Sequence, residues 1–404
     1  MKRTDVAIIG AGQSGLAISW ELMARGVDHT ILERGEIANS WLHERWDSLH
    51  LLSTNRMNVL PGLPYDGDDS DGFMSVGELV TRFGRAARKV GFPVKKNTTV
   101  LSVAPGAGGF HVQTDQGHLH ARKVVIASGA CNRVKVPAFA SALAPDIAQI
   151  SPLKYRSPAN LPPGNVLIVG ASATGLQLAR EVQLSGRQVT LAVGNHTRLP
   201  RRYREQDILE WTSRLGLASM PYTEVDDIAR ARRTPSPSLV AGATLDLNTL
   251  QQLGVEIVGR CVDMENYRAV FSGSLANTCA TADLKMLRLL TAIDELCGGK
   301  SERGDILATR LPDNPRLLLD LKAEGIASVI WATGFKPELD WLKMPCFDRK
   351  GMLLHEGGLV KPGLYAMGLP FLRTRRSTLL AGAAADASWI AGHAYPCGSR
   401  DAAA

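Results

Sequence analysis

Asp5-Val6-Ala7-Ile8-Ile9-Gly10-Ala11-Gly12-Gln13-Ser14-Gly15 decides the fold. An apolar run suited to a buried parallel strand passes without a break into a turn with glycine at its first, third and sixth positions. Glycines there let the chain bend sharply, bring its backbone close to a pyrophosphate, and aim the positive end of the following helix at that anion. Leu16 to Arg25 has helical periodicity, and Gly26 ends it. Thr30-Ile31-Leu32 is a second strand that finishes in Glu33, where a carboxylate accepts hydrogen bonds from the ribose of an adenosine. Strand, turn, helix, strand and terminal acid in register specify a dinucleotide site. A glycine-rich loop in an ordinary α/β domain leaves Glu33 unexplained.

The pattern returns in mid-chain. Asn165-Val166-Leu167-Ile168-Val169 runs into Gly170-Ala171-Ser172-Ala173-Thr174-Gly175, with Ser172 in the place of the middle glycine. A helix through Val182 ends at Gly186, and the next strand, Gln188 to Val193, has no acid at its end. Val193-Gly194-Asn195-His196 stands there instead, followed by Arg198, Arg201, Arg202 and Arg204. Arginine binds a 2′-phosphate bidentately where a carboxylate would repel it. The second site is therefore read as one for NADPH, with Arg198, Arg201 and Arg202 on the phosphate; the alternative is a solvated basic loop.

Two such turns in 404 residues imply an α/β chain of two Rossmann-like dinucleotide-binding domains, the two-dinucleotide flavoprotein type. Val124 to Ala130 and Ser328 to Phe335 are apolar strands ending in small residues and glycine, and they mark equivalent crossings between the domains. The expected division is 1–154 for the first part of the first domain, 155–334 for the second with an inserted segment, and 335–404 for completion of the first. Ser157 to Pro163 reads as a linker.

Composition sets limits. With 45% hydrophobic residues each domain has material for a core, and a net charge of +7 without a basic tail suits anionic cofactors and gives no nucleic-acid signature. Met1 to Asp5 leads straight into the first strand and no apolar run reaches spanning length, so a cytoplasmic protein without membrane association is expected. A homodimer is the default assembly for a soluble enzyme. Cys131, Cys261, Cys279, Cys297, Cys346 and Cys397 form no CxxC pair, which a flavoprotein disulfide reductase needs to take electrons from flavin. No HExxH or carboxylate-flanked histidine spacing points to a metal, and no G-x-S-x-G elbow appears.

These features resemble the flavoprotein monooxygenases that include flavin-containing monooxygenases and the plant enzymes acting on indole-3-pyruvate. The resemblance rests on Gly10 to Gly15, Glu33, Trp41 to Trp46 with Leu49-His50-Leu51, Gly170 to Gly175, Ala332-Thr333-Gly334-Phe335, Pro362 to Gly368, and Ser377 with the helix beyond it. It implies FAD at the first turn and NADPH at the second. The cofactor-binding residues it implies are Gly10, Gly12, Gln13, Ser14, Gly15, Glu33, Arg34, Trp41, Arg45, Thr54, Gly129, Gly170, Ser172, Thr174, Gly175, Thr333, Gly334, Ser377, Thr378 and Leu379, beside the three arginines above. It also implies that reduced flavin adds molecular oxygen at C4a and that the hydroperoxide oxygenates a small organic substrate at a heteroatom or carbonyl. Two other readings stay open: an NADPH-dependent reductase or oxidase without oxygen transfer, and a non-catalytic flavoprotein redox sensor.

Thr54-Asn55 matches a pair that in the family lies beside the reactive face of the flavin. Asn55 is accordingly the candidate catalytic residue, its amide holding the peroxide; the competing reading is a polar cluster that caps a loop. The family's FxGxxxHxxxY or F segment is not kept. Its nearest counterpart, Pro145 to Tyr155, retains only Tyr155, and Ser151 stands for the histidine. Gly368 to Ser377 precedes an alanine-rich helix, Thr378 to Ala391, whose start in the family faces the flavin pyrimidine ring. Arg373, Arg375 and Arg376 on that loop either recognise an acidic substrate or are solvated. Between Pro235 and Gly304, a βαβ fragment is expected over Gly242 to Val258. Ala282 to Cys297 is expected to form a packing helix, with Leu284, Leu287, Leu290, Ile293 and Leu296 on adjacent turns.

Overall fold

A computed structural model describes residues 2–237, 239–299 and 306–396; Gly304 and Cys397 of the readings above lie outside them. The apolar strand Lys2–Ile9 is central in an eight-stranded sheet. It pairs in parallel with His29–Leu32 on one side and Gly117–Ile126 on the other, so that Ile9 stands level with Leu32 and Ile126. Val94–Lys95 extends the sheet beyond His29–Leu32, and the antiparallel hairpin Val100–Gly106 and Gly109–Thr114 feeds back onto Gly117–Ile126.

The second sheet repeats this plan with five parallel strands. Asn165–Val169 is central, Val189–Ala192 and then Glu256–Val258 lie on one side, and Ile326–Trp331 and then Ala148–Ile150 on the other. In each sheet the chain leaves the central strand where the strand order reverses, so both glycine turns open at a topological switch point. The helices that follow, Gln13–Ala24 and Ala173–Leu184, bury their apolar faces against these sheets.

The C-terminal segment returns to the first unit. Leu364–Ala366 pairs in parallel with Gly117–Ile126, and the helix Leu380–Ala394 shares a core with Gln13–Ala24 through Leu380, Ala383, Ala387, Leu16 and Ala17. Where the chain passes between the units, Arg133–Val134 pairs antiparallel with Phe335–Lys336. Gly129 and Gly334, just before these two strands, have left-handed φ values of +88° and +93°.

Three sequence expectations are revised. Ala148–Ile150 is an edge strand of the second sheet, so that sheet begins before residue 155; three residues are too few to leave a pattern to read. Leu245-Asp246 is not a strand, because Asp246 caps the helix Leu247–Gln252 by accepting from Thr249 N at 2.9 Å. The long helix runs Leu275–Leu296, and it buries Cys279, Ala282, Met286, Leu290 and Ile293 while Leu284, Leu287 and Leu296 are exposed. Residues spaced by three drift around a 3.6-residue turn, so five of them cannot share one face.

Candidate functional site

At the first turn the glycines have separate jobs. Gly10 has φ +108°, and a Cβ on it would meet the Ala127 carbonyl oxygen at 2.6 Å; a Cβ on Gly15 would fall inside the Gly10 carbonyl oxygen. Those two let strand, turn and helix pack. Gly12 differs, because a Cβ there would have no protein atom within 4 Å. Its side is open, in the place a pyrophosphate approaches.

Glu33 is buried at the end of the second strand. Its carboxylate accepts from Ala11 N at 2.7 Å and from Gly35 N at 3.1 Å, and so ties the turn to the strand end. The C-terminal segment closes over the same turn: Gln13 Nε2 donates to Thr378 O at 2.9 Å, and a Cβ on Gly368 would lie 2.6 Å from the Ser14 hydroxyl. Ser377 is fully buried, accepting from Arg373 N and Thr374 N, and Leu379 stands exposed at the start of the last helix. Thr333 donates to Lys135 O at the crossing beside Gly129 and Gly334. Arg45 stacks over Trp41 at 5.4 Å, whereas Arg34 is held outward by Glu44.

Asn55 departs from its expected role. Its Oδ1 accepts from Met74 N at 2.8 Å, and its Nδ2 donates to Asp69 O at 2.8 Å and Tyr65 Oη at 3.3 Å. Both amide protons are engaged by the 65–74 loop, so here the side chain organises a loop and has no proton left for a peroxide. Thr54, its neighbour, has a buried hydroxyl without a partner and lines a pocket of about 340 Å³ with Phe73, Arg202 and Gln206.

The second turn keeps the outer geometry of the first. Gly170 has φ +113°, a Cβ on Gly175 would fall inside the Gly170 carbonyl oxygen, and Thr174 sits in the first turn of the helix. Ser172 takes the place of Gly12, with no capping bond to the helix. Beyond the strand, two of the three expected phosphate ligands are used elsewhere. Arg198 is buried, with Asp246 and Asp283 each at 2.7 Å. Arg201 is buried too: it pairs with Asp207, donates to Leu52 O at 2.8 Å and lies over the Phe73 ring at 4.6 Å. It is a strut between the 52–55 loop and the second unit. Their acid partners in the second unit lie up to 85 residues away in sequence, which is why a run of arginines looked free.

Arg202 is exposed and donates to Glu205 O. Arg260, which sequence reading missed, is exposed at the end of the third strand, and a Cβ on Gly194 would lie 3.9 Å from its Cγ. That puts the stem of an arginine side chain beside the acid-free end of the second strand. His196 bonds the Gly194 carbonyl through Nδ1, its Nε2 is buried without a partner, and burial lowers its pKa and keeps the ring neutral.

Where the family histidine would stand, Ser151 closes a turn by accepting from Leu153 N at 3.1 Å, and Tyr155 is buried in the second core with Trp46. Among the described residues no group of three His, Cys, Asp or Glu could hold a metal ion, and no helix is long and apolar enough to cross a membrane.

A family profile described as pyridine nucleotide-disulphide oxidoreductase matches residues 7–213, just over half of the chain, and the chain belongs to that family. It is an oxidoreductase of the two-dinucleotide flavoprotein class, whose cofactors are FAD and a nicotinamide dinucleotide. Among curated relatives, it is 28% identical over 390 residues to an uncharacterized CzcO-like oxidoreductase of Geobacillus kaustophilus, covering 96% of this chain and 97% of that one. It is 31% identical over 192 residues to the indole-3-pyruvate monooxygenase YUCCA1 of Oryza sativa subsp. japonica, about half of either chain at 46% and 47%. The fold is shared with a flavin-containing monooxygenase from Stenotrophomonas maltophilia, with a TM-score of 0.69, 19% identity and 98% of both chains covered. The first turn fits FAD: an open Gly12, a strand-end carboxylate and a helix N-terminus converge there. The second fits a nicotinamide dinucleotide with arginine near the adenosine end.

Proposed function

We propose that the chain is an NADPH-dependent FAD monooxygenase acting on a small organic substrate. The observation that carries this reading is the pair of matching nucleotide turns in a sequence with no CxxC pair to receive electrons. Cys131, Cys261, Cys279, Cys297 and Cys346 are free thiols, and burial raises the pKa of Cys131, Cys261, Cys279 and Cys346, so they are poor nucleophiles. Oxygen is the acceptor that needs no such pair.

Bound flavin supplies hydride acceptance and oxygen activation. The protein's own residues do the rest. Glu33 takes the adenosine ribose and Gly12 admits the pyrophosphate of FAD. The Leu380 and Ala381 amides at the start of the Leu380–Ala394 helix, which have no intrahelical acceptor, favour negative charge on the ring system. Arg202 and Arg260 provide the cations that choose NADPH over NADH. Arg201 holds the 52–55 loop against the second unit and limits water at the cofactor.

The test is rapid mixing of the FAD-loaded protein, reduced anaerobically with NADPH, against oxygen, with ¹⁸O₂ incorporation and hydrogen peroxide measured. Indole-3-pyruvate, the substrate named for the rice relative, is the first compound to add. Reoxidation through a transient absorbing species and label in the product are expected. Single-phase reoxidation with stoichiometric peroxide, whatever the substrate, would replace this reading with an oxidase, and absence of reduction by NADPH with a non-catalytic flavoprotein.

A further inference from the structure

Beside the start of the last helix lies a group of guanidiniums with too little negative charge to match. Arg373, Arg375 and Arg376 come from the C-terminal loop, and Arg232 arrives from the second unit with its Nε 3.5 Å from the Phe371 carbonyl. The two segments are strapped together, Tyr222 N donating to Arg373 O at 2.8 Å and Arg376 N to Ala218 O at 3.2 Å. Their tips converge at Gly357, where φ is +53° and a Cβ would come within 3.3 Å of the Tyr222 hydroxyl and 3.4 Å of Arg373 Nη1.

Among the described residues one carboxylate reaches this group. Asp386, 2% exposed, has Oδ1 3.9 Å from Arg373 Nε and leaves Oδ2 without a hydrogen bond. Arg376 Nε is also buried and unbonded. The remaining contacts are aromatic: Arg373 over Trp389 at 4.0 Å and Arg375 over Phe371 at 5.0 Å. Burial lowers the pKa of Arg232 and Arg373, as for cations taken from water without full compensation. By contrast, the buried Arg198 is matched by two carboxylates, Asp246 and Asp283. Arg375 is exposed, whereas Arg232, Arg373 and Arg376 are half-buried. Withdrawing cations from water without counter-charge is costly, so three such guanidiniums around one carboxylate mark a place where an anion completes the structure.

We propose that Arg232, Arg373 and Arg376, with the Tyr222 hydroxyl, form a binding site for the carboxylate of a small organic acid, and so select acidic substrates. The planar guanidinium fork suits a carboxylate, and the bonded pair Thr378 and Gln13 sets the cluster next to the first nucleotide turn. The assignment to a substrate rests on the monooxygenase reading above.

Calorimetric titration of the FAD-loaded protein with phenylacetate, phenylpyruvate, the uncharged phenylacetamide and inorganic phosphate tests it without turnover. Either acid should bind at least about tenfold more tightly than the amide, an affinity that weakens with salt. Arg376→Gln and, on a separate element, Arg232→Gln should remove that preference while FAD content and thermal midpoint hold. Equal binding of acid and amide, tighter binding of phosphate than of either acid, no detectable binding of either acid, or a preference that survives in both variants would overturn the site. Carboxylate binding with no oxygen transfer would instead count against the monooxygenase reading and leave the site standing.

Discussion

Gly12 and Ser172 occupy the same position in the two turns with almost the same backbone, φ −83° and ψ −168° against φ −83° and ψ −179°. Around them the outer glycines are interchangeable: Gly10 and Gly170 both have φ above +100°, and Gly15 and Gly175 both press on the preceding carbonyl. What differs is what meets the ligand. The first site has open space at Gly12 and the Glu33 carboxylate behind it, whereas the second carries a hydroxyl and no acid at its strand end. Turn shape and ligand choice thus reside in different residues, and each can be changed without the other.

The largest effect should come from the residue that only seemed to belong to ligand choice. Arg198→Ala leaves the buried Asp246 and the half-buried Asp283 without this cation and should cost about 3 kcal/mol in denaturant unfolding, with the NADPH to NADH preference unchanged. A lost preference at full stability would return Arg198 to the phosphate. Gly15→Ala and Gly175→Ala should each destabilise by about 3 kcal/mol, since the added methyl overlaps backbone that cannot move aside. Unequal losses would break the equivalence of the turns.

Gly12→Val sharpens the contrast from the other side. With no protein atom to meet the Cβ, unfolding should be nearly unaffected while FAD affinity falls about a hundredfold, roughly 2.7 kcal/mol, read by flavin retention on dialysis. Joint replacement of Arg202 and Arg260 by alanine should raise the NADPH KM about tenfold over that for NADH, on the scale of charge-assisted bonds to one phosphate. Equal losses with both coenzymes would remove the phosphate assignment.

The smallest effect concerns the unequal charge balance beside the first site. Burial pushes the Asp386 carboxyl up to about 6, above its ordinary 3.8. Between those values the folded chain keeps a proton the unfolded chain has released, so this group's contribution to stability falls as pH rises from about 4 to about 6 and stays low above. His355, lowered to about 4 by burial, acts in the opposite sense over the overlapping range. The difference between wild type and Asp386→Asn in urea midpoints at pH 4, 5, 6 and 7 isolates the Asp386 slope, and a constant difference would remove this account.

Much of the architecture was legible because it is local. A strand followed by glycines at fixed positions and a periodic helix leaves few alternatives, and both turns, both crossings and the return of the C-terminal strand and helix to the first sheet appear where those patterns place them. The edge strand Ala148–Ile150 was not legible, since it has too few residues to show a period. Side-chain roles were read less well. Asn55 looked free for chemistry, yet Tyr65, Asp69 and Met74 take up its amide; Arg260 went unnoticed because it reaches Gly194 only when the third strand lies beside the second.

The sequence by itself determined the two dinucleotide turns, the strand-end Glu33 and the absence of a CxxC pair, because each is written in residues close together along the chain. Only the tertiary structure decided which arginines face solvent and which are spent on buried carboxylates. A guanidinium's availability depends on partners that folding brings to it, Asp246 and Asp283 for Arg198, Leu52 and Asp207 for Arg201, and, among the described residues, Asp386 alone for the cluster at the last helix.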